Sequence, residues 1–108
     1  MDIENSKAQM RKGILEYCIL SILSGKEIYA SDILEALKQA KLIVVEGTLY
    51  PLLTRLKNDG LLDYSWQEST MGPPRKYYKL TKDSFTFLKA LDATWDELLN
   101  GVNKATNR

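Results

Sequence analysis

The sequence predicts a mainly α-helical fold with one small β-hairpin and a long C-terminal helix. Apolar residues recur every three or four positions as far as Asn58, as they do along the buried face of amphipathic helices. From Leu62 to Trp66 the period drops to two, the mark of a half-buried strand. After Thr81 the helical spacing returns and persists to Val102.

The 108 residues suffice for one domain with one core, residues 1–108. A first helix is expected over residues 6–24, where Ile14, Cys18 and Ile22 repeat every four positions and Leu15, Ile19 and Leu23 repeat one residue later. Gly25 ends it, because glycine takes the left-handed conformation of a helix C-terminus at little cost. The second helix, about Tyr29 to Ala40, aligns Ile33, Leu37 and Ala40. Lys41 to Val45 is rich in β-branched residues and reads as a connection or a very short strand. The third helix is expected from Gly47-Thr48 to Asn58, with Leu49, Leu52, Leu53 and Leu56 on one side and Gly60 just beyond. Proline is cheap only in the first turn of a helix, so Pro51 argues against a start much before Gly47.

Leu62, Tyr64 and Trp66 alternate with Asp63, Ser65 and Gln67; Ser69 to Pro74 supplies turn chemistry; and Arg75 to Leu80 returns as a second strand. The prolines are expected to stiffen the tip and to stop the ladder there. Thr81 then caps a helix reaching about Asn100 or beyond, on which Leu88, Leu91, Trp95, Leu98 and Val102 form a heptad seam. Nothing nearby in sequence covers that seam, so it is expected to be the interface of a homodimer.

Three helices followed by a hairpin, with a tightly bounded third helix, is the order of a winged helix-turn-helix. It is expected over residues 6–80, followed by a dimerisation helix over residues 81–103. Such a module sets its third helix in the major groove of double-stranded DNA and its wing along the phosphates. The candidate contacts on the third helix are Thr48, Tyr50, Thr54, Arg55 and Lys57. Glu46 and Asp59 offset the two cations there, so the wing must supply most of the phosphate neutralisation. Its run Arg75, Lys76, Lys79 and Lys82 contains no acid. A net charge of only +1 argues against a non-specific architectural protein, which relies on phosphate contacts throughout.

Four blocks stand out: Arg11-Lys12-Gly13-Ile14-Leu15-Glu16, then Glu46-Gly47-Thr48-Leu49-Tyr50-Pro51-Leu52-Leu53-Thr54-Arg55-Leu56, Gly60-Leu61-Leu62, and Arg75-Lys76-Tyr77-Tyr78-Lys79-Leu80-Thr81. In combination they resemble the PadR family of transcriptional regulators, in its short form with a single C-terminal helix. The resemblance implies a two-fold dimer, a last helix packed on the partner's first helix, and repression at a roughly palindromic operator. Residue by residue, it puts DNA contact at Gly47, Thr48, Tyr50 and Pro51 and, in the wing, at Arg75 and Lys76. Two positions depart from it: Ala30 and Ser84 stand where glycine is usual. It also puts Trp95 where some small relatives line a pocket between subunits for a flat aromatic effector. An aromatic at a heptad position packs more often than it binds, and packing is the preferred reading of Trp95. Cross-strand packing is likewise the preferred reading of most of Tyr64, Trp66, Tyr77 and Tyr78.

Enzyme chemistry fails on inventory. There is no histidine, the single cysteine Cys18 lies on an apolar face, and no carboxylates cluster at ligand spacing, so neither a metal nor a cofactor is expected. No run approaches the roughly 20 apolar residues that cross a bilayer, and the first residues lack a signal-peptide pattern, so a cytoplasmic location is expected. The main alternative function is a winged helix that binds a protein, which would expose an apolar patch on its third helix rather than this polar one.

Overall fold

The computed structural model describes residues 1–42 and 45–108. Eight elements follow in order: α1 Ile3–Lys12, α2 Leu15–Ile22, β1 Ile28–Tyr29, α3 Ala30–Gln39, α4 Glu46–Asn58, β2 Leu62–Ser69, β3 Gly72–Leu80 and α5 Lys82–Ala105. The fold is mainly helical with a small antiparallel sheet, a winged helix-turn-helix carrying a long final helix.

The expected first helix is two helices. Asp2 caps α1, its carboxylate accepting from the Asn5 N–H at 3.2 Å, and the break falls at Gly13 and Ile14, where the Ile14 N–H reaches back three residues to the Arg11 carbonyl at 3.0 Å. Both break residues keep right-handed helical backbone angles, so the apolar period barely changes phase and the sequence pattern runs straight through. The two pieces fare differently: α2 buries Leu15, Ile19 and Leu20, whereas α1 buries nothing.

The expected hairpin is part of a three-stranded sheet in the order β1-β3-β2. In β1, Ile28 and Tyr29 pair with Tyr78 and Tyr77; two residues are too few to show a period. Tyr29 therefore ends a strand and caps α3 rather than opening a helix. The ladder of β2 on β3 runs from Leu62↔Leu80 to Gln67↔Arg75, shifts register, and resumes at Ser69↔Gly72. Pairing thus reaches further than the prolines were expected to allow. Pro73 and Pro74 lie inside β3, opposite the shift in register, where their missing N–H groups interrupt no regular pair.

Helix α4 begins one residue before Gly47, with Val45 as cap; the Val45 carbonyl accepts from the N–H groups of Thr48 at 2.9 Å and Leu49 at 3.1 Å. Pro51 consequently sits past the first turn, and the helix continues through it. Both Pro51 and Gly47, whose carbonyl loses its partner, are exposed, so the gap faces solvent. The helix ends as expected, with Gly60 left-handed at φ 80° and the Leu61 N–H bonded to the Leu56 carbonyl at 3.0 Å. The stretch Lys41 to Val45, read above as connection or short strand, includes Ile43 and Val44, which lie outside the described residues.

The core unites Ile19, Leu20 and Leu23 of α2 and its end, Ile33 and Leu37 of α3, Leu49, Leu53 and Leu56 of α4, and Leu62 of β2, all completely or almost completely buried. Helix α5 joins it through its first turns only, with Leu88 buried and Leu91 half-buried. Thr81 occupies the α5 cap position, but its hydroxyl does not cap the helix. It donates instead to the Gly60 carbonyl at 2.7 Å and meets the Ser84 hydroxyl at 2.9 Å, while fully buried Ser84 donates to the Leu61 carbonyl. This knot ties the start of α5 to the turn that ends α4.

Candidate nucleic-acid interface

Apolar spacing puts Leu49, Leu53 and Leu56 inward and leaves Gly47, Thr48, Tyr50, Pro51, Thr54 and Arg55 exposed on the far side of α4. That exposed side has two halves. Tyr50 and Thr54 face the wing, sharing a cleft of about 270 Å³ with Trp66, Arg75 and Lys76. Thr48, Pro51 and Arg55 face the other way, onto a cleft of about 520 Å³ shared with Lys12 and Glu16 at the junction of α1 and α2.

Several of the polar groups are already held. The Thr54 hydroxyl donates to the Tyr50 carbonyl at 3.1 Å, one turn back. The Arg55 guanidinium donates to a Glu16 carboxylate oxygen at 3.2 Å, bridging α4 to α2. Lys57 is half-buried, with its ammonium 5.3 Å from the centre of the Tyr64 ring. Partial burial and the negative charge of Glu46 push the Tyr50 phenol above its usual pKa; as with any tyrosine near neutral pH, it is a hydrogen-bond donor.

In the wing, aromatic rings hold the cations. The Lys76 ammonium lies 4.0 Å from the Tyr64 ring centre, 5.6 Å from that of Trp66 and 5.7 Å from that of Tyr78. The Arg75 guanidinium carbon lies 4.9 Å from the Tyr29 ring centre. Such contacts restrict long side chains without neutralising them. The basic run expected to act as one patch is divided along the strand, and alternation puts Arg75 and Lys76 on opposite faces of the sheet, Arg75 beside Tyr29 and Lys76 among Tyr64, Trp66 and Tyr78. Arg75 and Lys76 border α4, whereas Lys79 pairs in register with Asp63 and lines a separate hollow beside Gly25 and Glu27.

The seam residues on α5 also separate. Leu88 packs into the chain's own core and Leu91 lies half-buried against it. Half-buried Trp95 lies 6.3 Å, centre to centre, from the Tyr17 ring, and only Leu98 and Val102 stand in the open. The Tyr17 hydroxyl donates to Asp92 Oδ1 at 2.6 Å, which raises its pKa to about 12 together with burial and the negative charges of Asp92 and Asp96. Burial raises the Cys18 thiol, as suits an inert core group. No cluster of potential metal ligands occurs among the described residues, and no helix among them is long and apolar enough to cross a membrane.

Two residues bordering the candidate site were not singled out by the sequence. Glu16 carries no signal in the order of residues, because its partner is 39 positions away. Trp66 packs against Tyr64 and Lys76 as the cross-strand reading expects and is also 64% exposed, a consequence of its place at the far end of the alternating strand, where the core runs out.

A recognition helix and a cation-bearing wing sharing one cleft define a winged-helix transcriptional regulator. The model of the transcriptional regulator PadR-like family matches residues 19–89. Among solved structures, a PadR-like transcription factor from Bacteroides fragilis is 64% identical, covering 94% of this chain and 99% of its own, with a TM-score of 0.77. A PadR family transcriptional regulator from Eggerthella lenta is 30% identical over 97% of this chain and 92% of its own, with a TM-score of 0.87. Bacillus subtilis PadR in complex with operator DNA shares the fold at 23% identity and a TM-score of 0.66, covering 72% of this chain and 45% of its own. The chain belongs to the PadR-like family. It is a transcriptional regulator rather than an enzyme.

Proposed function

We propose that the protein is a sequence-specific DNA-binding regulator that acts as a homodimer, and a repressor of genes whose operator is roughly palindromic. Helix α4 enters the major groove with Gly47, Thr48, Tyr50, Pro51 and Thr54 toward the DNA, while Arg75 and Lys76 grip phosphates alongside. The observation that carries this reading is the cleft between α4 and the wing, which gathers Tyr50, Thr54, Arg75 and Lys76 and includes no carboxylate. The operator-bound Bacillus subtilis protein supports it as a case of the same fold on DNA. The exposed side of α4 is polar, unlike the apolar patch a protein-binding winged helix would present.

Dimerisation is supported by the exposed apolar residues of the α5 end, Leu98, Leu99 and Val102, together with Ile3 and Met10 of α1, which also lacks any buried side chain. A second copy would cover both helices and set two recognition helices about one turn of DNA apart, roughly 10 base pairs centre to centre. A flat aromatic effector bound beside Trp95 would act by changing that separation. The test is selection from a random pool of duplex DNA at near-physiological salt. Enrichment of an inverted repeat is the expected result. A folded, dimeric protein that enriches no motif would turn the reading toward a protein partner for α4.

A further inference from the structure

We propose that Trp66 is a further DNA contact, its ring against the sugar-phosphate backbone and its indole N–H donating to a phosphate oxygen; this rests on the DNA-binding reading above. Leu62, Tyr64 and Trp66 occupy one face of β2 and pass from buried through half-buried to 64% exposed as the wing leaves the core. An exposed tryptophan leaves a large apolar ring in water, and its N–H is a donor with no acceptor function. The ring is nonetheless held in place. It stands edge-on to Tyr64, with centres 6.4 Å apart and planes at 88°, and it lies directly across the ladder from Lys76.

The cleft it lines specifies the ligand. Arg75 and Lys76 are its two charged residues, and Tyr50 and Thr54 line it from α4, the Thr54 hydroxyl donating to the Tyr50 carbonyl and keeping its oxygen as an acceptor. Two cations, an indole N–H and the Tyr50 phenol, with no carboxylate among them, complement a chain of phosphates; an apolar peptide would leave both cations unpaired. The same surroundings give Trp66 a different part from Lys76. A cation that meets a phosphate releases a counterion, whereas a neutral indole does not, so the two residues must differ in their effect on the salt dependence of binding.

The test measures affinity for a selected duplex, over a range of salt, for the unsubstituted protein, Trp66→Phe, Trp66→Ala and Lys76→Gln, with thermal melts to establish that each is folded. Trp66→Phe is expected to weaken binding roughly tenfold for each protomer on the DNA, as loss of a hydrogen bond to a charged group does, and Trp66→Ala by more. Both should keep the salt slope, while Lys76→Gln lowers its magnitude by about 0.9 for each protomer on the DNA. Duplex should also quench tryptophan emission of the unsubstituted protein and much less that of Trp66→Phe. Unchanged affinity and equal quenching in Trp66→Phe would overturn the proposal. So would a fall in salt slope equal to that of Lys76→Gln, since Trp66 would then act only by holding the lysine. If the unsubstituted protein binds no duplex at all, the DNA-binding reading itself fails.

Discussion

The winged-helix body and the two terminal arms are built on opposite terms. In the body, α2, α3, α4 and the sheet turn their leucines and isoleucines on one another, and nine of these residues are completely or almost completely enclosed within one chain. In the arms, α1 encloses nothing and the distal part of α5 leaves Leu98 and Val102 each 54% exposed. The same helical periodicity underlies both. A repeat of apolar residues records that a face will be covered, and says nothing of whether the cover comes from the same chain. The body closes its apolar faces within the chain, and the arms leave theirs exposed, as the proposed dimer requires.

The sharpest way to break this comparison is to remove one side chain from each region. Leu53→Ala in the body opens a cavity in the core and is expected to cost about 2–5 kcal/mol in thermal or denaturant unfolding, at every protein concentration. In the arm, Leu98→Asp combined with Val102→Asp would bury charges in an apolar interface, weakening the dimer about a hundredfold by sedimentation. The far-UV signal of the body should survive the second change and its melting should lose its dependence on concentration. A double variant that stays dimeric would move the interface elsewhere.

A smaller effect is expected where body and arm join. Ser84 is buried and bonds both Thr81 and the Leu61 carbonyl, so Ser84→Ala removes the hydroxyl that links α5 to the end of α4. Leu61 keeps the bond from the Thr81 N–H at 3.2 Å, which holds the expected loss to about 1 kcal/mol in an unfolding measurement. Hydrogen exchange should quicken at Gly60 and Leu61 more than in α2. A uniform change across the chain would show that the knot is not a local tie.

How far the sequence could be read follows the same division. The bounds of α4 were plain because Gly60 and the leucine spacing are local signals, and the return of helical period after Thr81 marked α5. The split at Gly13 was not, since the turn keeps helical backbone angles, and neither was β1, whose two residues are defined by Tyr77 and Tyr78 nearly fifty positions away. At the candidate site, residue types identified the cations Arg75 and Lys76 but not the rings that hold them, because cross-strand and helix-to-wing contacts depend on register. The pairing of Arg55 with Glu16 is likewise invisible in the sequence, because it spans 39 positions. Replacing Glu16 by Gln tests that pair. It is exposed enough that stability should change by less than about 1 kcal/mol in a thermal melt, while release of Arg55 and loss of a nearby negative charge should raise affinity for duplex DNA.

The last effect, read from how stability depends on pH, marks the boundary between the two regions. Tyr17 of α2 donates to Asp92 of α5, and that bond, with burial and the charges of Asp92 and Asp96, lifts its pKa from the ordinary 10.0 to about 12. A raised pKa means that the unfolded chain releases this proton first. The contribution to stability is therefore complete below about pH 10 and falls away as the pH climbs to about 12. Thermal melts of the unsubstituted protein and of Tyr17→Phe should diverge in slope only in that window. An absorbance titration should show one of the six tyrosines releasing its proton last, near pH 12, and that final step should be missing from Tyr17→Phe. Coincident titrations would mean that α5 leaves the body at this point, with the arm beginning before Asp92 rather than beyond Trp95.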